Sequence, residues 1–352
     1  MKSNSTKPSL GKLSAVRPKA ITVSSTELVK KYYFHSDETL PLVLEPATGG
    51  VDLLSWAQSN QGLLEKELLE HGAILFRRFN VDSAEKFEKF IAGVSGPTLE
   101  YRERSSPRSP VSGNIYTSTE YPPDQQIFLH NENSYAHVWP LRIFFNCQTP
   151  PVDGGQTPIA DVRRVLRRLA PTTVEKFERL KVMYVRNFGN SIGLEWQTVF
   201  QTASRTAAED YCREAGYEFE WKEDGGLRTR RVGQAVAKHP KTGERLWFNH
   251  AAFFHVSTLG PSIREPLLAQ FDEEDLPINT YYGDGSPIEP VVLDDLREAY
   301  RQETVTFNWE KGDILMLDNM LTAHGRLPYT GRRKILVGMS QPFYSRELRG
   351  GE

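Results

Sequence analysis

The sequence predicts a mixed α+β chain, and three observations carry that expectation. Helical and strand patterns alternate before residue 127, β-branched and aromatic strand runs dominate after it, and the chain closes in a strand, a turn and a second strand over 309–343. The 352 residues suit one large domain or two modest ones. Hydrophobic residues make up 39% and charged residues 25%, enough apolar surface for a proper core. A formal net charge of -2 argues against nucleic acid or an anionic membrane as partner. Cys147 and Cys212 are too few for a disulfide framework or a thiolate metal site. They point to a reducing compartment, and to His and carboxylate as the ligands of any metal. No apolar run approaches the roughly 20 residues of a membrane span, and the N-terminus lacks an apolar signal core, so the expected location is cytoplasmic.

Residues 1–25, rich in Ser, Lys and Pro, read as a flexible N-terminal tail. The body is expected over 26–348 as one domain. GLLEKELLEHG (62–72) puts Leu64, Leu68 and His71 on one helical face and ends on the helix-stopping Gly72. AILFRRF (73–79) reads as a buried strand, and Ser83 to Val94 as an amphipathic helix capped by Asp82 or Ser83. IFLHNENSY and PLRIFFNCQ read as strands, PPVDGGQTP (150–158) as a turn, and Asp161 as the cap of helix DVRRVLRRL. The arginines of that helix read as a solvated face. Residues 171–305 mix short helices with strands and read as a long insertion, a lid able to cover a site. WEKGDILMLDN (309–319) gives a strand, HGRLPYTGRR a turn, and KILVGMSQPF a closing strand.

His130-Asn131-Glu132 is the first chemical anchor. At the end of a strand, residues i and i+2 project to the same face, so an imidazole and a carboxylate aim at one point. His324, following ILMLDN, is the best third ligand. Two histidines and one carboxylate on one side of a metal leave positions open for co-substrate and oxygen, the logic of non-haem Fe(II) oxygenases. A structural site would fill those positions with protein. Arg333, nine residues after His324, offers a guanidinium fork suited to the distal carboxylate of 2-oxoglutarate, and Thr157 can donate a hydroxyl to the same group. Arg332 is the rival for that anchor, though strand alternation favours Arg333. Asn114, Tyr116 and Phe254 are candidates for the substrate wall, with ordinary loop or core packing as the alternative. His137 reads as a pocket wall or core residue. His250 and His255, with no carboxylate at ligand spacing, read as part of a packed aromatic strand or lid.

HGAILFRRF, FLHNENSY, GGQTPIAD, GDILMLDNMLTAHGR and GRRKILVGM together resemble the TauD/TfdA family of Fe(II)/2-oxoglutarate oxygenases, over about residues 40–344. HNENSYAHVWPLRIFFNC, HPKTGERLWFNHAAFFH and NTYYGDGSPIEP resemble the SyrP-like hydroxylases of nonribosomal peptide and polyketide pathways. The resemblance implies a distorted double-stranded β-helix (jelly-roll) core with flanking helices. It implies Fe(II) held by His130, Glu132 and His324, 2-oxoglutarate contacted by Thr157 and Arg333, and O2 as co-substrate. Hydroxylation of an amino acid or amino-acid-derived moiety, free or tethered to a carrier protein, is the implied reaction, in secondary-metabolite (antibiotic-type) biosynthesis. Desaturation or epoxidation are variants of the same chemistry, and a homo-oligomer is compatible with it. Val337 stands where taurine dioxygenase has a sulfonate-binding arginine, which speaks against a sulfonate substrate. Glu132 stands where the related halogenases carry a small residue, which favours hydroxylation. A non-catalytic jelly-roll binding protein and a zinc hydrolase are the readings from other classes.

Overall fold

The structure is a computed structural model that describes residues 25–36, 38–100, 103, 108–119, 121–189 and 193–349. The expected N-terminal tail therefore lies, through residue 24, outside the described residues. The architecture is mixed α+β, built on large antiparallel sheets. The largest sheet has eight strands in the order Val29–Tyr32, Leu42–Pro46, Ala73–Phe76, Ile314–Asp318, Val138–Thr149, Lys334–Tyr344, Ile115–Thr117, Pro110–Ser112. Its pairings are antiparallel apart from Leu42–Pro46 with Ala73–Phe76. A four-stranded sheet orders Thr304–Val305, Ile159–Asp161, Thr322–Arg326 and Ile127–His130.

The central strands of the large sheet read as continuous apolar runs because both faces are buried. Alternation divides them. Leu42, Leu44, Ile74, Phe76, Phe144, Ile314, Met316 and Leu336 pack on Trp56, Leu64, Leu68, Phe87 and Phe90 from three helices. Those helices are Leu53–Ser59, Gln61–His71 and Ala84–Ser95. The intervening residues Val43, Leu75, Phe145, Leu315, Leu317, Ile335 and Val337 pack on the other side, with Ile159 of the four-stranded sheet. The expected helix signals operate as read. Leu64, Leu68 and His71 are the buried residues of their helix, which ends at Gly72 with φ 77. The Ser83 side chain, rather than Asp82, caps the next helix by accepting from the Lys86 N–H. The Asp161 side chain accepts from the Arg163 N–H at the head of Val162–Arg168.

Residues 171–305 contain a second four-stranded sheet in the order Glu218–Trp221, Leu227–Gly233, Val182–Phe188, Ile278–Tyr282. Phe177, Tyr184, Trp247, Phe254 and Tyr300 of this stretch share a core with Leu129, Ala160 and Ala323. The small sheet is thus buried on its outer face by that segment and on its inner face by the large sheet. RLWFNHAAFFHV is strand only over Arg245–Trp247. His250 follows the strand, and Phe253 and Phe254 lie in the turn and bend after it, so the strand of the expected packed aromatic strand or lid does not extend through these residues.

Candidate metal centre and pocket

His130 and His324 stand opposite each other as register partners on adjacent antiparallel strands. Their rings are 4.5 Å apart between centroids. Cross-strand pairing therefore joins two imidazoles that lie far apart in sequence. The register shifts between His324 and Arg326, and Gly325 fills the irregularity. A Cβ at Gly325 would stand 2.6 Å from the Ile127 carbonyl oxygen, so only glycine lets the strands approach this closely.

Glu132 reaches the same point by a route that strand alternation does not describe. The strand ends at His130, and 132–135 form a turn in which Asn133 has φ 56. Asn319, fully buried, clamps that turn. Its Oδ1 accepts from the Glu132 N–H at 2.8 Å, its Nδ2 donates to the Glu132 and Pro140 carbonyls, and its own carbonyl accepts from Asn131 Nδ2 at 2.7 Å. The i, i+2 expectation named residues that do converge, but a different geometry brings them together. Side-chain bonding to the backbone sets this turn, and the period of the strand does not.

His130, Glu132 and His324 are all buried, and each offers a ligand atom within 4.8 Å of the others. His130 Nδ1 lies 2.8 Å from the Phe128 carbonyl. That bond requires the proton on Nδ1 and leaves Nε2 as a lone pair. His324 Nε2 is 3.9 Å from Glu132 Oε2, and its buried Nδ1 has no hydrogen-bond partner among the described residues. Burial holds both imidazoles below the usual histidine range, against the pull of Glu132. Burial alone would raise the Glu132 carboxyl. The Arg108 guanidinium, followed by the two imidazoles, outweighs that and holds it at about 2. Two neutral imidazoles and an ionised carboxylate are a donor set that fits a divalent first-row metal.

The pocket beside this cluster is lined by His130, His324, Thr157, Arg333, Arg326 and Arg108, with Phe145, Ser118 and Thr119. Arg333 Nε donates to the Gly155 carbonyl at 3.0 Å, and its Nη1 to Ser118 Oγ at 3.2 Å. Burial, then the neighbouring Arg326 guanidinium, pushes it down to about 10, so it stays charged at neutral pH. Arg332 is exposed. Thr157 Oγ1 accepts from Trp309 Nε1 at 3.2 Å, which leaves the hydroxyl proton to donate elsewhere. Arg326 donates from its two Nη atoms to the carbonyls of Tyr121, Pro122 and Gln125, pinning that loop to the small sheet.

The three substrate-wall candidates do not line this pocket. Asn114 donates to the Thr98 carbonyl from a turn. Tyr116 is buried in the large-sheet core, and Phe254 packs on His250 and Tyr135. His137 lies in a separate group with Glu103 and Tyr211, lining a different cavity. His250 comes much closer than its sequence context suggested. Its ring centroid is 5.7 Å from that of His130, and its Nδ1 pairs with Ser134 Oγ at 2.6 Å. Phe253 stacks flat on His130 at 4.4 Å. Arg108 carried no periodic or motif signal, and Asn319 lay within GDILMLDNMLTAHGR without a role assigned to it. Both act through contacts with residues distant in sequence, Glu132 and the turn around it.

The family model described as "Taurine catabolism dioxygenase TauD, TfdA family" matches residues 37–340. The chain is 36% identical over 281 residues to the dapdiamide synthesis protein DdaC of Enterobacter agglomerans, covering 80% of this chain and 85% of that one. It is 28% identical over 329 residues to a clavaminate synthase-like protein of Arabidopsis thaliana, covering 88% and 96%. Among solved structures, PvcB of Pseudomonas aeruginosa superposes with a TM-score of 0.54 at 15% identity, covering 91% of this chain and 94% of that one. PvcB is described as an Fe, alpha-ketoglutarate dependent oxygenase from an isonitrile synthetic pathway. At that identity the likeness speaks to the fold.

Proposed function

The chain belongs to the TauD, TfdA family of dioxygenases, and from that premise we propose that it hydroxylates an unactivated C–H of an amino acid or amino-acid-derived substrate. The enzyme is a non-haem iron, 2-oxoglutarate-dependent dioxygenase with O2 as co-substrate. In this reading His130, Glu132 and His324 hold the iron, and the eight-stranded sheet and the four-stranded sheet that carries the two histidines are the halves of a distorted jelly roll around it. The body from residue 26 to 348 acts as one oxygenase domain, with 171–305 as its cover. The observation that carries the reading is the convergence of those three ligand atoms beside a half-buried, charged Arg333.

Bound iron supplies the oxidising power, activating O2 at the expense of 2-oxoglutarate, which leaves as succinate and carbon dioxide. The protein's own share is binding, orientation and exclusion of water. Arg333 receives the distal carboxylate of 2-oxoglutarate, and Thr157 donates its remaining hydroxyl proton to the same group. Ser118 holds Arg333 from one side and the Gly155 carbonyl from the other, so little rotamer entropy is left to lose on binding. Phe145 lies 5.0 Å from the His324 ring, and Phe253 covers His130, so apolar surface screens both imidazoles from water.

The relation to a dapdiamide synthesis protein supports a small-molecule substrate; that it is of amino-acid type, presented free or on a carrier protein, is the part of the proposal left to experiment. The discriminating experiment offers free and carrier-loaded amino acids with Fe(II), 2-oxoglutarate and O2. Succinate release and a gain of one oxygen by mass are expected, and His130→Ala should reduce both to background. Turnover retained by His130→Ala, or metal-dependent hydrolysis that ignores O2, would refute the reading.

A further inference from the structure

Glu132 is not alone with the imidazoles. Arg108 Nη2 donates to Glu132 Oε2 at 2.7 Å, and the two side chains are only 4% and 3% exposed. Oε2 is also the carboxylate oxygen nearest His324. A guanidinium therefore already engages the oxygen that faces the second imidazole. It lines the same pocket as His130, Thr157 and Arg333, and its burial leaves it no easy route to solvent.

We propose that Arg108 is the positioning residue of the metal-binding carboxylate: by holding one oxygen of Glu132, it makes the carboxylate meet the metal through a single oxygen. This rests on His130, Glu132 and His324 being the ligands. The consequence follows from counting. A six-coordinate metal with three protein donors keeps three positions, of which 2-oxoglutarate takes two and oxygen the third. A carboxylate free to rotate can chelate with both oxygens, as carboxylates do on hard cations. It would then occupy the position that oxygen needs. A charge-assisted hydrogen bond to one oxygen, about twice as strong as a neutral one, opposes that rotation. Asn319 fixes the backbone of Glu132, while Arg108 fixes its side chain.

The test counts water on bound Mn(II) by proton relaxation, which requires neither substrate nor turnover. Native protein should hold Mn(II) with three exchangeable waters. Arg108→Gln should lose one, lowering the relaxivity per bound ion by about one third. Arg108→Lys, which keeps a cationic donor, should restore the native value. Thermal melts check that each variant is folded. Native-like relaxivity in a folded Arg108→Gln protein would overturn the proposal. So would two waters on the native protein, a result that needs no variant at all. His130→Ala separates the two levels of the argument: tight Mn(II) binding by that variant would overturn the ligand assignment itself, whereas its loss leaves the Arg108 comparison to decide the positioning role.

Discussion

Arg332 and Arg333 are neighbours in sequence with opposite surroundings: the first is exposed, and the second lines the pocket with both hydrogen-bond partners in place. Removing a buried charge-assisted contact to a carboxylate costs about 1.5–3 kcal/mol, which corresponds to roughly 10- to 150-fold in affinity. Arg333→Ala should therefore weaken 2-oxoglutarate binding by that factor, read from the co-substrate dependence of succinate release. Arg332→Ala should leave it unchanged, and the reverse pattern would move the anchor to Arg332. The strand period favours Arg333 in the sequence; in the structure Arg333 stands just before the strand, whose register shifts between Lys334 and Ile335, so its place in the pocket does not follow from simple alternation with Ile335 and Val337. His130, Glu132 and His324 were singled out in the sequence by residue type together with the His-x-Glu spacing and the place of His324 after ILMLDN. Arg108 was not, since its loop has no period and its partner lies 24 residues away. His250 was discounted for want of a nearby carboxylate, yet the fold sets its ring beside His130.

At the scale of elements, the strand Ile314–Asp318 leads into the turn that holds Asn319 and carries a buried charge network at its end. Asp318 is fully buried and accepts from Arg142, with His239 Nε2 at 3.2 Å, and Arg142 also bonds Glu65 at 2.9 and 3.0 Å. Burial would raise the Asp318 carboxyl, but Arg142 and then His239 hold it below the ordinary aspartate value. A carboxylate depressed in the folded state adds stability that is present above its unfolded pKa, near 3.9, and is lost as the pH falls through the folded value. The melting temperature should accordingly fall steeply below about pH 4. Asp318→Asn should flatten that acid limb and lower stability at pH 7 by about 3–5 kcal/mol, because Arg142 is left buried with one partner fewer. An unchanged acid limb in Asp318→Asn would exclude this network as its source. The strand itself was plain in the sequence as an apolar run. The turn after it was not, because what shapes it is Asn319 bonding to the turn at Glu132, remote in sequence.

Across the whole molecule, the large sheet separates two jobs. Phe144 faces the helical layer, and Phe145, the next residue, faces the metal centre. Phe144→Ala should cost about 3–5 kcal/mol of unfolding free energy and leave metal affinity near native. Loss of metal binding in a folded Phe144→Ala protein would mean that the two layers are not independent. Helices Gln61–His71, Ala84–Ser95 and Val162–Arg168 were readable from caps and periods, whereas Thr322–Arg326, the strand that carries His324, overlaps a stretch that read as a turn. The layering was not readable, because the central strands are apolar on both faces and no alternation marks which side is which. Nor did local pattern predict that His130 and His324 are register partners. That pairing is a property of strand order, which single-sequence periodicity does not encode.

The central claim is that three side chains brought together by the small sheet form one iron site open to 2-oxoglutarate. Its most direct measurement is the visible charge-transfer absorption that develops when Fe(II) and then 2-oxoglutarate are added to the protein without oxygen. The native protein should give a saturable band at one iron per chain, and His130→Ala, Glu132→Ala and His324→Ala should each lose it while remaining folded. No band in the native protein, or an undiminished band in any of the three folded variants, would contradict the account.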